Sequence, residues 1–167
     1  MRLKVVAVRK TRSISLEAQV KSLNYLNQIL ARMEALEAGA DEALLLDVHG
    51  LLADGPGENV FAVHSAELLT PPVHNVLAGI TRRTLIDLAA GMGHSTTERA
   101  MTLYDLYAAD EVFLSSTFGG VLPVTEVDGY PIGRERPGPL TRALRERYER
   151  VLRESGTPIG ASVAAEG

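Results

Sequence analysis

Hydrophobic positions along the chain follow two periods. The run "LKVVAV" (3–8) is short, β-branched and flanked by polar residues, which predicts a strand. From about 15 to 38 the apolar residues Leu23, Leu26, Leu30 and Met33 recur at intervals of three and four, the spacing of a helix that buries one face. Gly39 stands where the C-terminus of that helix needs a residue tolerant of left-handed dihedrals. "EALLLDV" (42–48) is continuously apolar and predicts a buried strand. Glycine and proline then punctuate short strands through 49–72.

A second helix is predicted over 80–93, with Leu85, Leu88 and Ala89 on one face and Gly91 and Gly93 ending it. "LYDLYAAD" predicts a short third helix, "EVFLSST" a strand, and "GVLPVTEVDGYPIG" a hairpin turning at Asp128-Gly129. The last helix is expected from about 139 to 154, with Leu140, Leu144, Tyr148 and Leu152 on one stripe. Past Ser155 the residues are small and polar, so 155–167 are expected to form a flexible tail. No repeat is visible. The alternation implies a mixed α/β (α+β) domain.

Composition narrows the class without changing this picture. The chain has 167 residues, 46% hydrophobic and 23% charged, enough for one domain with a core. Cysteine is absent, which excludes disulfides and cysteine-ligated metal sites. The N-terminal apolar runs are too short for a signal or a membrane span, so a cytoplasmic protein without membrane contact is the default expectation. The net charge is −4, which argues against a nucleic-acid partner. The early basic cluster (Arg2, Lys4, Arg9, Lys10, Arg12) therefore reads as solvated strand ends.

Four stretches carry candidate chemistry. Lys21 and Tyr25 lie four apart and would share a face of the first helix; alone, the pair is most simply a solvated lysine and a half-buried tyrosine. "DGPGEN" (54–59) is a glycine turn bearing two carboxylates. In "AGITRRTL", Gly79 precedes a helix start, where the amides of Ile80 and Thr81 and the helix dipole favour an anion, although a capped helix without a ligand fits equally. "SSTFGG" (115–120) ends a strand in hydroxyls and glycines, suited to clamping a phosphate or to a plain loop. The histidines His49, His64, His74 and His94 have no metal-ligand spacing and read as surface or capping residues, so no metal is expected.

In order, the segments "VKSLNYLNQILARMEA", "GADEALLLD", "DGPGENVF", "LLTPP", "AGITRRT", "LYAADEVFLSST", "PVTEVDG" and "PGPLT" resemble the C-terminal, cofactor-binding half of class IV, fold-type IV aminotransferases dependent on pyridoxal 5'-phosphate (PLP). That family includes branched-chain and D-amino-acid aminotransferases, (R)-amine transaminases and aminodeoxychorismate lyase. The resemblance covers 1–154 and implies the D-amino-acid aminotransferase-like fold.

It also implies roles. Lys21 stands where the family lysine holds PLP as a Schiff base and then shuttles a proton, work that requires an amine able to lose its own proton near neutral pH. Tyr25 resembles the tyrosine that meets the cofactor phenolate oxygen. Ile80, through its amide, and Thr81 resemble the phosphate cup, joined by Thr117, with Phe118 and Gly119 on the substrate side. Asp54 occupies the place of a glutamate that faces the pyridine nitrogen, and is one methylene shorter.

Family members carry a further N-terminal domain with a phosphate-binding arginine, so the chain is expected to be a fragment, a piece of a split enzyme completed in trans, or a non-catalytic relic. A branched-chain-like transaminase working on an amino donor and a 2-oxo acid, as a homodimer, is the leading expectation. The alternatives are an (R)-amine or D-amino-acid transaminase and a lyase of the aminodeoxychorismate type.

Overall fold

A computed structural model describes residues 1–74, 76–134 and 136–156. Among the described residues, nine strands form two sheets. The first joins β2 (Glu42–Leu46), β1 (Arg2–Arg9), β8 (Glu126–Val127) and β9 (Tyr130–Pro131) in that order. The second runs β5 (Thr96–Glu98), β4 (Glu67–Thr70), β3 (Asn59–His64), β6 (Glu111–Ser116) and β7 (Gly120–Val124). The helices are α1 (Leu26–Glu37), α2 (Ile80–Gly91), α3 (Leu103–Tyr107) and α4 (Pro139–Glu154).

The period of two along each strand explains the layering. In β2, Leu44 and Leu46 enter a core shared by both sheets, while Ala43 and Leu45 face α1. In β3 and β6, Val60, Ala62, Val112 and Leu114 join that shared core, and Phe61, Val63 and Phe113 face α2 and α4. Phe61 and Phe113 are register partners, and their rings stack with centroids 4.8 Å apart. Strands covered on both faces must read as unbroken apolar runs, as these do. The layers are therefore α1, the β1–β2 sheet, the β3–β6 sheet, and α2 with α4.

Most predicted elements are present. The hairpin turns at Asp128 and Gly129, whose φ angles of 49° and 82° are the paired positive values that a two-residue turn requires. Gly39 follows α1 with φ 76°, and α4 spans the predicted residues. The expected tail is described only to 156; residues 157–167 lie outside the described residues.

Three expectations fail. The helix predicted from 15 to 38 begins only at Leu26, and 11–25 is an irregular, turn-rich segment. Gln19 supplies the physical reason: its amide donates to the carbonyls of Val73 and Val76 at 2.5 and 2.6 Å, and its oxygen accepts from Ala78 N at 3.3 Å. These bonds pin the segment to the 73–78 loop and compete with helical pairing.

The stripe expected to be core is also reversed. Leu23, Leu26, Leu30 and Met33 are exposed, and α1 instead buries Ala31 and Ala35 against Val6, Ala43 and Leu45. Small residues let the helix sit close to the sheet, and the large ones point away. Leu152 of α4 is likewise exposed, while Leu140, Leu144 and Tyr148 are buried as expected.

Lys10 is the third correction. It is not a solvated strand end: its side chain is 11% exposed, and its ammonium lies 2.6 Å from Asp54 Oδ2. Arg2 and Lys4 do stay near the surface, paired with Asp41 and Asp128.

Candidate active site

One cavity lies between the end of β1, the irregular segment before α1, and the 54–59 loop. Lys10, Lys21, Tyr25, Gln28, Asp54 and Asn59 contribute to its wall. Asp54 is fixed by backbone pairing beside β2: Leu45 N donates to its carbonyl at 2.9 Å, and Ala53 N to Leu45 O at 3.0 Å. The next four residues close a tight turn through Gly55 N to Glu58 O at 2.9 Å. A Cβ at Gly55 would lie 2.7 Å from Glu58 Oε2, so a side chain there would displace the Glu58 carboxylate from its place in the turn.

The Asp54 side chain is 8% exposed. Its Oδ2 accepts from Lys10 Nζ, while Oδ1 is buried with no partner among the described residues. Burial pushes the carboxyl up to about 6, with Lys10 pulling the other way and Glu58 adding to the rise. Gln28 Oε1, also on the cavity wall, is a second buried oxygen without a partner. Two unpaired acceptors in one cavity mark a place for a donor.

Lys21 is exposed, in the turn where Ser22 N bonds Val20 O, and it shares the cavity with Tyr25 and Asp54. It is not on a helix, so the cavity rather than a common helix face brings the pair together. The Tyr25 hydroxyl donates to Pro56 O at 2.6 Å. Burial, then the nearby Glu58 and Asp54 carboxylates, raise its pKa.

The start of α2 lies beyond Asn59. Gly79 enters the helix with φ 69° and gives no side-chain cap, leaving first-turn amides open to an anion. Asn59 Nδ2 donates to Leu77 O at 2.9 Å, and a Cβ at Gly79 would fall 2.2 Å from Asn59 Oδ1. Glycine is therefore required twice at this position, for its dihedrals and for the close approach. Ile80 is exposed; Thr81 is buried, with its hydroxyl 3.1 Å from that of Tyr148.

Thr117, Phe118 and Gly119 form the turn between β6 and β7 and do not line the cavity. They sit at the same end of the sheet, because Asn59 at the start of β3 pairs with Ser115 near the end of β6. Gly119 N bonds Ser116 Oγ at 3.0 Å, and Phe118 is fully exposed.

The structure thus gathers Lys21, Tyr25 and Asp54 in one cavity, with Ile80 and Thr81 one loop away across Asn59 and Thr117–Gly119 at the adjoining sheet end. Sequence reasoning missed Lys10, Gln28 and Asn59. Asn59 lay inside "DGPGEN"; Lys10 carried no signal apart from a basic cluster, and Gln28 no signal at all.

The family profile described as "Amino-transferase class IV" matches residues 1–127. A branched-chain-amino-acid aminotransferase of Pseudomonas aeruginosa is 44% identical over 124 residues, covering 74% of this chain and 40% of that protein. The crystal structure of a T.th. branched-chain amino acid aminotransferase with pyridoxamine 5'-phosphate superposes with a TM-score of 0.88 at 39% identity, covering 90% of this chain and 51% of that one. The enzyme from Thermoproteus uzoniensis, solved with norvaline, gives 0.86 at 38% identity, covering 90% and 50%. The chain spans about half the length of the relatives it matches.

Proposed function

Because the chain belongs to the class IV aminotransferase family, we propose that residues 1–154 are the cofactor-carrying portion of a PLP-dependent transaminase. The reaction moves an amino group between a branched-chain-like amino acid and a 2-oxo acid. The observation that carries this reading is the convergence of Lys21 and the unpaired Asp54 Oδ1 on one cavity. The branched-chain preference draws on the names of the relatives and structural neighbours.

The residues present fit PLP. A buried acceptor oxygen suits a ring N–H, an exposed amine suits an aldehyde, and an uncapped helix N-terminus suits a phosphate. When bound, PLP supplies an electron-withdrawing ring that stabilises charge at the substrate α-carbon.

The chain's own groups do the rest. Lys21 Nζ would hold the cofactor and is the group placed to move a proton at the substrate α-carbon. Asp54 Oδ1, buried without a partner among the described residues, would accept a ring N–H and favour its protonated form. The amides of Ile80 and Thr81 would bind phosphate at the helix start, and the Thr81 hydroxyl lies 3.1 Å from that of Tyr148. Thr117 adds a hydroxyl, and Phe118 and Gly119 flank the substrate. Tyr25, whose hydroxyl donates to Pro56 O, lines the same cavity and would be the partner of the cofactor phenolate oxygen.

The same reading takes the working form to be a homodimer, with the open face of α1 as contact surface, completed by the portion of the relatives' length that this chain does not span. No helix among the described residues is long and apolar enough to cross a membrane.

Titration of PLP into the chain complemented by the portion it does not span, followed by absorbance, tests the proposal. A visible band that shifts on adding a branched-chain amino donor and is lost in Lys21→Ala is expected. No band in wild type, or an equal band in Lys21→Ala, would favour a non-catalytic relic.

A further inference from the structure

Lys10 is the buried charged group of the cavity that the proposed reaction leaves unused. It extends from the residue after β1, its backbone N–H donates to Leu46 O at 2.9 Å, and its side chain is nearly enclosed. Asp54 is held on the other side of the same strand, through Leu45 and Ala53. The two backbones flank β2, and the ammonium meets the carboxylate at 2.6 Å between them.

That geometry has two consequences. A carboxylate with one oxygen engaged by a buried ammonium cannot rotate freely, so its second oxygen keeps one orientation. A buried carboxylate next to a fixed cation also retains its charge more readily than an isolated one. Both matter at this position, where a side chain one methylene shorter than the family's glutamate has less reach.

We propose that Lys10 is a positioning residue for Asp54, clamping Oδ2 so that Oδ1 stays fixed and charged for a donor in the Lys21 cavity. The inference rests on the transaminase reading for the identity of that donor, and on the 2.6 Å pair alone for the clamp. Lys10 acts through Asp54, its hydrogen-bond partner at 2.6 Å.

The other charged or titratable groups around Asp54 do not replace Lys10. Glu58, from the 55–58 turn, opposes ionisation of Asp54. Glu17 and Tyr25, on the segment before α1, bring no cation. Lys21 does bring one, but it is exposed and is the amine proposed to hold the cofactor. α1 contributes only the neutral Gln28 to this wall.

The test uses the cofactor-free chain with 13C-labelled aspartate, Asp54 being assigned by its loss in Asp54→Asn. In wild type the Asp54 carboxyl is expected to titrate at about 6. In Lys10→Met its midpoint is expected to rise by about one pH unit or more, because burial is then unopposed; Lys10→Arg is expected to restore it. A midpoint unmoved in Lys10→Met, or Lys10→Arg behaving like Lys10→Met, overturns the proposal.

Should Lys10→Met fail to fold, the wild-type chain still decides. The Lys10 Cε signal must shift with the same midpoint as Asp54, and a signal flat through that range overturns the clamp. The spectroscopic signature extends the test to the cofactor: after borohydride fixes PLP on Lys21, the pH midpoint of ring absorbance is expected to move in Lys10→Met and return in Lys10→Arg. A tie purely structural in role would leave that midpoint in place. Failure of PLP to attach to Lys21, with the carboxyl shift present, counts against the transaminase reading and upholds the clamp.

Discussion

Asp54 combines deep burial, one strong partner and one unpaired oxygen, and each property leads to a measurable consequence. If Oδ1 holds a ring N–H, Asp54→Asn is expected to slow amino transfer by roughly 10²-fold or more, since the asparagine cannot keep the ring protonated. Cofactor affinity is expected to change less, because the α2 N-terminus is untouched; Asp54→Glu is expected to retain activity. Single-turnover kinetics of a complemented, active form would compare the variants. Equal rates for wild type and Asp54→Asn would reduce Asp54 to a turn residue ahead of Gly55.

The same carboxyl predicts a pH dependence of folding. Its native value of about 6 lies above the 3.8 of an unperturbed aspartate, so the native state binds more protons between them. Stability contributed by this group is therefore fully present below about 3.8 and lost as pH rises through about 6, by an amount on the order of 3 kcal/mol. Urea unfolding across this window checks it: wild type should lose stability relative to Asp54→Asn as pH rises. Parallel curves would contradict the buried titration. At this scale the local motifs left Lys21 as a solvated lysine and Asp54 as a turn carboxylate, and only the family resemblance proposed them for the site, while Lys10 was hidden. Its partner is 44 residues away, and no local spacing announces such a pair.

Among the elements, α1 was the most misleading and is the most informative. The apolar spacing that announced it is real, yet Leu26, Leu30 and Met33 face outward and Ala31 and Ala35 face the sheet. Periodicity finds a helix and an apolar face, but a second face of small residues competes with it for the core. Opposite sensitivities follow. Leu30→Lys is expected to leave unfolding free energy within about 0.5 kcal/mol, as for an exposed site, and to reduce self-association by sedimentation if this face joins two copies. Ala35→Leu is expected to cost roughly 1–3 kcal/mol by overpacking against β1 and β2. The reverse ranking in urea unfolding would return the large residues to the core. The late start of α1 was unreadable for a related reason: Gln19 bonds carbonyls more than fifty positions away.

For the whole molecule, the α+β class and nearly every element were visible in the sequence, but the layering was not. Continuous apolar runs in β2, β3 and β6 announced strands covered on both sides without saying by what. The answer depends on distant pairings: β1 lies parallel to both β2 and β8, and β3 brings Asn59 opposite Ser115. Those pairings place the Lys21 cavity, the α2 N-terminus and the 117–119 turn around Asn59. The site is thus a product of topology laid over local motifs. If Lys21 is the amine that carries PLP, the lysines Lys4 and Lys10 provide internal controls. Lys4 is paired with Asp128 and Lys10 with Asp54, whereas Lys21 faces the cavity exposed. Incubation with PLP, borohydride reduction and peptide mapping is therefore expected to place the label on Lys21; label absent from Lys21, or spread over Lys4 and Lys10, would contradict the account.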